Sequence, residues 1–172
     1  MNSKSKYSLL SVYSLIISLL YLIYGIIEVV NGTVSWWLPW IGELNVQLGI
    51  PVTINEFTLY VPNSISDPFA GLILIILSTI FLRAALKLRK VEVEAWSFTV
   101  VGLLLSGILA GLDLLIIFAD FLDSHYPIIF GEEATEWTIL TDEWFMNPMF
   151  VLFILAIPLI KVYWMKEEFM RR

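Results

Sequence analysis

Cysteine is absent from the 172 residues, and histidine occurs once, as His125. The first absence excludes a disulfide, a thiol nucleophile, an iron–sulfur cluster and a cysteine-bound zinc. The second excludes bis-histidine haem and multi-histidine metal centres. Charge is scarce too: Asp, Glu, Lys and Arg make up 15% of the chain, against about 25% in a soluble domain. Apolar residues fill the space, at 59% and a mean hydropathy of +0.83, so a soluble globule is excluded. A net charge of −6 excludes nucleic acid as a partner. No nucleophile, base and oxyanion donors assemble into a catalytic set, which favours a non-catalytic protein, and no cofactor is expected.

Four apolar runs are present, at about 7–30, 68–88, 95–122 and 144–165, and a bilayer crossing takes roughly 20 residues. They predict an all-α transmembrane fold, a four-helix antiparallel bundle forming a single polytopic domain over 1–172. Lys4 and Lys6 precede the first run as in a signal peptide, but the run is too long and no small-x-small cleavage site follows, so it is expected to stay as an uncleaved helix. The second starts sharply, with Asp67 as N-cap and Pro68 in the first turn. Pro158 marks a kink in the fourth.

Segments 31–67 and 123–143 contain neither Lys nor Arg. The ten basic residues fall before the first run, around the turn from the second to the third, and in or after the fourth, which alternation brings to one face. The positive-inside bias makes that face cytoplasmic. Both termini are then expected in the cytoplasm, in a multi-pass protein of the plasma membrane. Nine acidic residues, Glu43, Glu56, Asp67, Asp123, Glu132, Glu133, Glu136, Asp142 and Glu143, give the outer loops a formal −9, a surface suited to a basic partner or to cations. Trp36, Trp37, Trp40, Trp137 and Trp144 fall at the outer boundary, and Trp96 and Trp164 near the inner one, as indoles at headgroup level do.

Leu44, Val46 and Leu48 alternate with polar residues, Gly49-Ile50-Pro51 breaks the run, and 52–61 is rich in β-branched and aromatic residues, which predicts a hairpin. Segments 127–130 and 136–140 offer a second pair of strands around Gly131. Together the two outer loops are expected to form a small extracytoplasmic β-containing cap. Asn31-Gly32-Thr33 matches the glycosylation sequon at the end of the first span.

Inside the spans, polar and small residues form stripes. Tyr7, Ser11, Ser14, Ser18, Tyr21, Gly25 and Glu28 share one face of the first helix; Thr99, Gly102, Ser106, Asp113 and Asp120 share one of the third, beside a GxxxG at Gly107 and Gly111. Gly71, Ser78 and Ala85 give the second helix a small seam. Ser11, Ser14, Ser18, Gly25, Gly102, Ser106, Gly107 and Gly111 form the expected packing seam, by which helices approach closely in lipid. Glu28, Asp113 and Asp120 are the proton or cation candidates, because carboxylates in hydrocarbon are costly and no basic residue lies at their level. Asp120, Asp123 and His125 are the available metal-ligand candidates.

Two functions follow. The first is a non-catalytic subunit or assembly component of a membrane complex, held in the bilayer and contacting other membrane subunits or its own copies. The second is a small proton- or cation-conducting component using Glu28, Asp113 and Asp120. The absence of a Pro- or Gly-broken pair of helices favours the first.

Overall fold

Three helices are long and apolar enough to cross a membrane in the computed structural model, which describes residues 3–42, 44–54, 57–131, 133–142 and 144–170. They are α1 (Ser3–Trp37), α2 (Pro68–Lys90) and α3 (Val93–His125). The fourth apolar segment is shorter and interrupted, with α4 (Pro148–Ala156), a 3-10 turn at Ile157–Leu159, α5 (Ile160–Trp164) and α6 (Lys166–Met170). Pro158 sits in that turn, where its missing N–H breaks the ladder. Tyr13 of α1 braces the break by donating to the carbonyl of Leu155 at 2.5 Å. The fourth helix begins at Pro148 rather than near residue 144, because Asn147 caps it through Phe150 N at 2.9 Å and the preceding residues are held in turns.

The two longest helices overrun the bounds that hydropathy assigns. α1 has 35 residues and α3 has 33, about 50 Å each at 1.5 Å per residue, against a hydrocarbon core of about 30 Å. α1 continues past Val30 because Gly32 passes so close to the start of α2 that a Cβ there would lie 2.3 Å from Pro68 N. The loops after α1 and α3 lie at one end of the bundle, the cap end; the basic clusters lie at the other, the basic end.

α1 and α2 pack through the polar stripe of α1. Ser11, Ser14 and Ser18 donate to the carbonyls of Ala85, Phe81 and Ser78 at 2.7, 3.0 and 2.9 Å. Further along, Gly25 and Gly71 bring the two backbones together: a Cβ on Gly71 would sit 2.5 Å from Val29 N and 2.7 Å from Gly25 O. α3 joins from the other side of α2, laying Gly102 on the Phe81 ring. The core between them holds Ile17, Tyr21, Leu74, Leu77, Phe81, Leu152 and Leu159, with Tyr21 stacked on Phe81 at 5.5 Å.

At the basic end Val91 and Glu92 turn α2 into α3. Lys87 holds Glu92 at 2.5 Å and Glu94 at 2.7 Å, and this ammonium keeps the Glu92 carboxyl below the usual glutamate range. A depressed folded-state value stabilises the turn fully above the ordinary glutamate range and ceases to do so as pH falls through the lowered value. Hydrogen exchange at residues 91–95 should therefore accelerate in acid, and Glu92→Gln should flatten that dependence. Equal acid sensitivity in the variant would contradict the assignment.

The cap differs from the sheet that alternation predicts. Its hairpin is β1 (Ile50–Ile54) and β2 (Phe57–Val61), paired from Ile50–Val61 to Ile54–Phe57. Residues 44–48 are not a strand, because side chains claim their backbone: Asn31 accepts from Val46 N at 3.1 Å and donates to Val46 O at 3.0 Å. Gln47 likewise brackets Ser64, donating to its carbonyl at 2.7 Å and accepting from its N–H at 2.9 Å. Nor does the second loop supply strands among the described residues. Pro127 opens a 3-10 turn, Tyr126–Phe130, and Thr135 then folds back onto the carbonyl of Ser124 at 3.0 Å through its N–H. The two loops are tied by Asn63 N to Met146 O at 2.8 Å.

Candidate functional site

The expensive polar groups of this chain gather at the cap end. Glu28 rides outward on α1 and is 1% exposed, with Oε1 3.4 Å from the N–H of Ile65 and Oε2 without a hydrogen bond. Asp113, on α3, is 3% exposed and its Oδ2 also lacks a partner. It lies beside Asn147, whose Oδ1 is committed to capping α4 and whose Nδ2 stays unpaired, the two being neighbours outside hydrogen-bond geometry. Glu28 is within electrostatic range of both Asp67 and Asp113. The buried hydroxyl of Ser64 completes the unpaired set at this level. Such groups are costly unless protons, water or partners satisfy them.

Asp120 stands apart from this pair. With Asp123, Ser124, Thr135, Trp137, Asp142 and Trp144 it lines a cavity of about 310 Å³. Asp142, 6% exposed, is the best-held carboxylate there, accepting from Trp137 Nε1 at 3.2 Å and Trp144 N at 2.9 Å. The ring of His125 lies 4.4 Å from that of Phe121, and its Nδ1 lies 2.9 Å from the Phe121 carbonyl and 2.8 Å from Ser124 Oγ. That nitrogen is therefore engaged with its own helix. Among the described residues no three acidic or histidine side chains form a group able to hold a metal.

The small residues split in the same way. Ser11, Ser14, Ser18 and Gly25 face α2, and Ser106 bonds the Leu103 carbonyl of its own helix at 3.1 Å. Gly107 lies against the ring of Phe153, where a Cβ would find it at 3.2 Å, while Gly111 faces open space with nothing within 4 Å. The GxxxG is thus not one packing surface within the chain.

Two residues of the site are missed by sequence reading. Asn31 reads as a sequon, yet it is fully buried and both ends of its amide hold Val46, so it is closed to a glycosyl transferase. Asn147 carries a readable signal: Asn147-Pro148 repeats the Asp67-Pro68 pattern of cap and first-turn proline.

Below this layer the next ionisable side chain on the stripe of α1 is Tyr21, fully buried with its hydroxyl unpaired. From Glu28 to Tyr21 is seven residues, about 10 Å along α1, and there the Tyr21–Phe81 stack begins the apolar core. The buried hydroxyls of Ser14, Ser18, Thr99 and Ser106 each donate to a backbone carbonyl.

A family model described as the MJ0565 integral membrane domain matches residues 4–167. Among curated proteins and among solved structures nothing matches. The family match runs from the first turns of α1 into α6, so the chain belongs to the MJ0565 integral membrane domain family and is a membrane protein in contact with the lipid bilayer.

Proposed function

We propose that the chain is a non-catalytic subunit or assembly component of a membrane complex. In this reading its four apolar segments form an antiparallel bundle that crosses the plasma membrane four times, both termini are cytoplasmic, and the cap faces outside. The observation that carries it is the confinement of the buried carboxylates Glu28, Asp113 and Asp142 to the cap end, over a core in which no buried carboxylate lies among the described residues. Asp142 ties the second loop through Trp137 and Trp144, and Glu28 meets the first loop at Ile65, so these two carboxylates hold the base of a docking platform. The cap also displays apolar side chains, Trp40, Ile41, Ile129 and Phe130, amid acidic loops. Such a mixed surface suits a partner carrying basic and apolar groups, whether another membrane subunit or a second copy.

Purification from the native membrane in mild detergent, followed by mass spectrometry, tests the reading. A stoichiometric second protein, or a homo-oligomer joined through the cap, is expected. A lone protein that carries bound metal would favour conduction instead. The crossing pattern has its own test, free of background because the chain has no cysteine: cysteine at Glu133 should react with an impermeant reagent in intact cells, and cysteine at Glu92 should not. Labelling at Glu92 would overturn the orientation.

A further inference from the structure

Where the end of α1, the two legs of the first loop and the residues before α4 meet, they enclose a second cavity, of about 490 Å³. This is within the range of small-molecule sites. Its wall is built from two indoles, Trp36 and Trp144, three amide side chains, Asn45, Gln47 and Asn63, three serines and one carboxylate, Asp67. Four separate stretches of chain contribute, and two of the hydrogen bonds that fix them, Gln47 to Ser64 and Asn63 N to Met146 O, run through or beside the wall.

The unspent bonding capacity defines what fits. Asp67 uses Oδ1 for both of its bonds to the first turn of α2, leaving Oδ2 free. Asn45 receives Gln47 on its carbonyl oxygen, leaving its amide N–H groups as donors. Ser64 is 4% exposed, and its hydroxyl is closed off behind the wall. Trp144 makes no aromatic ring contact among the described residues, and Trp36 meets Phe69 edge-on at 5.8 Å between centroids. Donors and acceptors are thus mixed, aromatic faces are present, and the loops that form the wall contain no Lys or Arg. An anionic ligand is excluded by Asp67 and by that absence of cations. A purely apolar ligand would leave the Asn45 amide N–H groups and Asp67 Oδ2 unmet.

We propose that this cavity binds a neutral, polyhydroxylated sugar ring, stacked on Trp144 and hydrogen-bonded by Asp67 and Asn45. The flat apolar face of a pyranose meets an indole, and its vicinal hydroxyls each both donate and accept, as this wall requires. Because the cavity adjoins the N-terminus of α2, the ring comes either from a glycolipid headgroup or from a free saccharide.

The test keeps the full chain in nanodiscs or in a zwitterionic detergent, since glycoside detergents would occupy the site. Indole fluorescence is followed during titration with a soluble methyl glycoside, with a monohexosyl lipid in the nanodisc, and with tetramethylammonium. Saturable binding of either sugar supports the proposal. Response to the lipid alone identifies a headgroup site, and response to both identifies a site for free sugar. Trp144→Ala should weaken binding about tenfold, the size of one lost stacking contact. Asn45→Ala, at an exposed position, should weaken it severalfold. Trp40→Ala, outside the cavity, should leave it unchanged. Absence of binding by both sugars, binding of tetramethylammonium in their place, or equal affinity in the Asn45 variant would overturn it.

Discussion

Gly71→Val should separate α1 from α2 and lower stability by about 3 kcal/mol, the upper end of overpacking costs. The reason is that both neighbours of the new side chain are backbone. A Cβ at Gly71 lies 2.5 Å from Val29 N and 2.7 Å from Gly25 O, and a main chain cannot rotate aside as a side chain can. With the helices forced apart, the bonds from Ser18 to Ser78 and from Ser14 to Phe81 should lengthen as well. Reversible unfolding in mixed micelles measures the loss. Gly111→Ala is the matched control: nothing lies within 4 Å of its Cβ position, so stability should hold, or rise by about 0.5–1 kcal/mol from helix propensity. A large loss at Gly111 together with tolerance at Gly71 would mean that the helices pack in another order.

Asn31→Ala should release the first loop. The amide of Asn31 satisfies both backbone groups of Val46, and its removal leaves a donor and an acceptor without partners near the base of the cap. About 2–3 kcal/mol is expected from two lost bonds and incomplete rehydration. The more telling result is local: protease added from the cap side should cut residues 42–49 quickly in the variant and slowly in the parent. Equal cutting in both would show that the loop is held by something other than this clamp.

Local chemistry was legible wherever it decided the structure. Asp67 caps α2 as its place before Pro68 implies, accepting from Phe69 N at 2.8 Å and Ala70 N at 3.2 Å. Long apolar runs gave the three long helices, because hydropathy reads burial in lipid directly. Tertiary contacts hid the rest. Hydropathy ends the first run near Val30, but Gly32 admits Pro68 at close range and α1 runs on to Trp37. The alternation in 44–48 is real, yet Asn31 takes both backbone bonds of Val46 that a strand would need. Around Gly131 a similar pattern is overridden by Pro127 and by the grip of Trp137 and Trp144 on Asp142. Of the three carboxylates that the stripes bring to mind, Glu28 and Asp113 share one level, whereas Asp120 joins Asp142. Sequence spacing could not separate them, because the stripe of α1 is received by α2 and not by α3.

Asp113→Asn tests the central claim most directly, since it keeps shape and hydrogen-bonding capacity and removes only the power to ionise. The variant and the parent are reconstituted into liposomes, proton and cation flux is recorded, and the complex is recovered from the native membrane in parallel. If the buried carboxylates brace the cap, flux should stay at the protein-free level in both, and the variant should assemble as well as the parent or better, because a buried acid has been neutralised. Flux through the parent that disappears in a folded Asp113→Asn protein would contradict the account and make the cap end the mouth of a conduit.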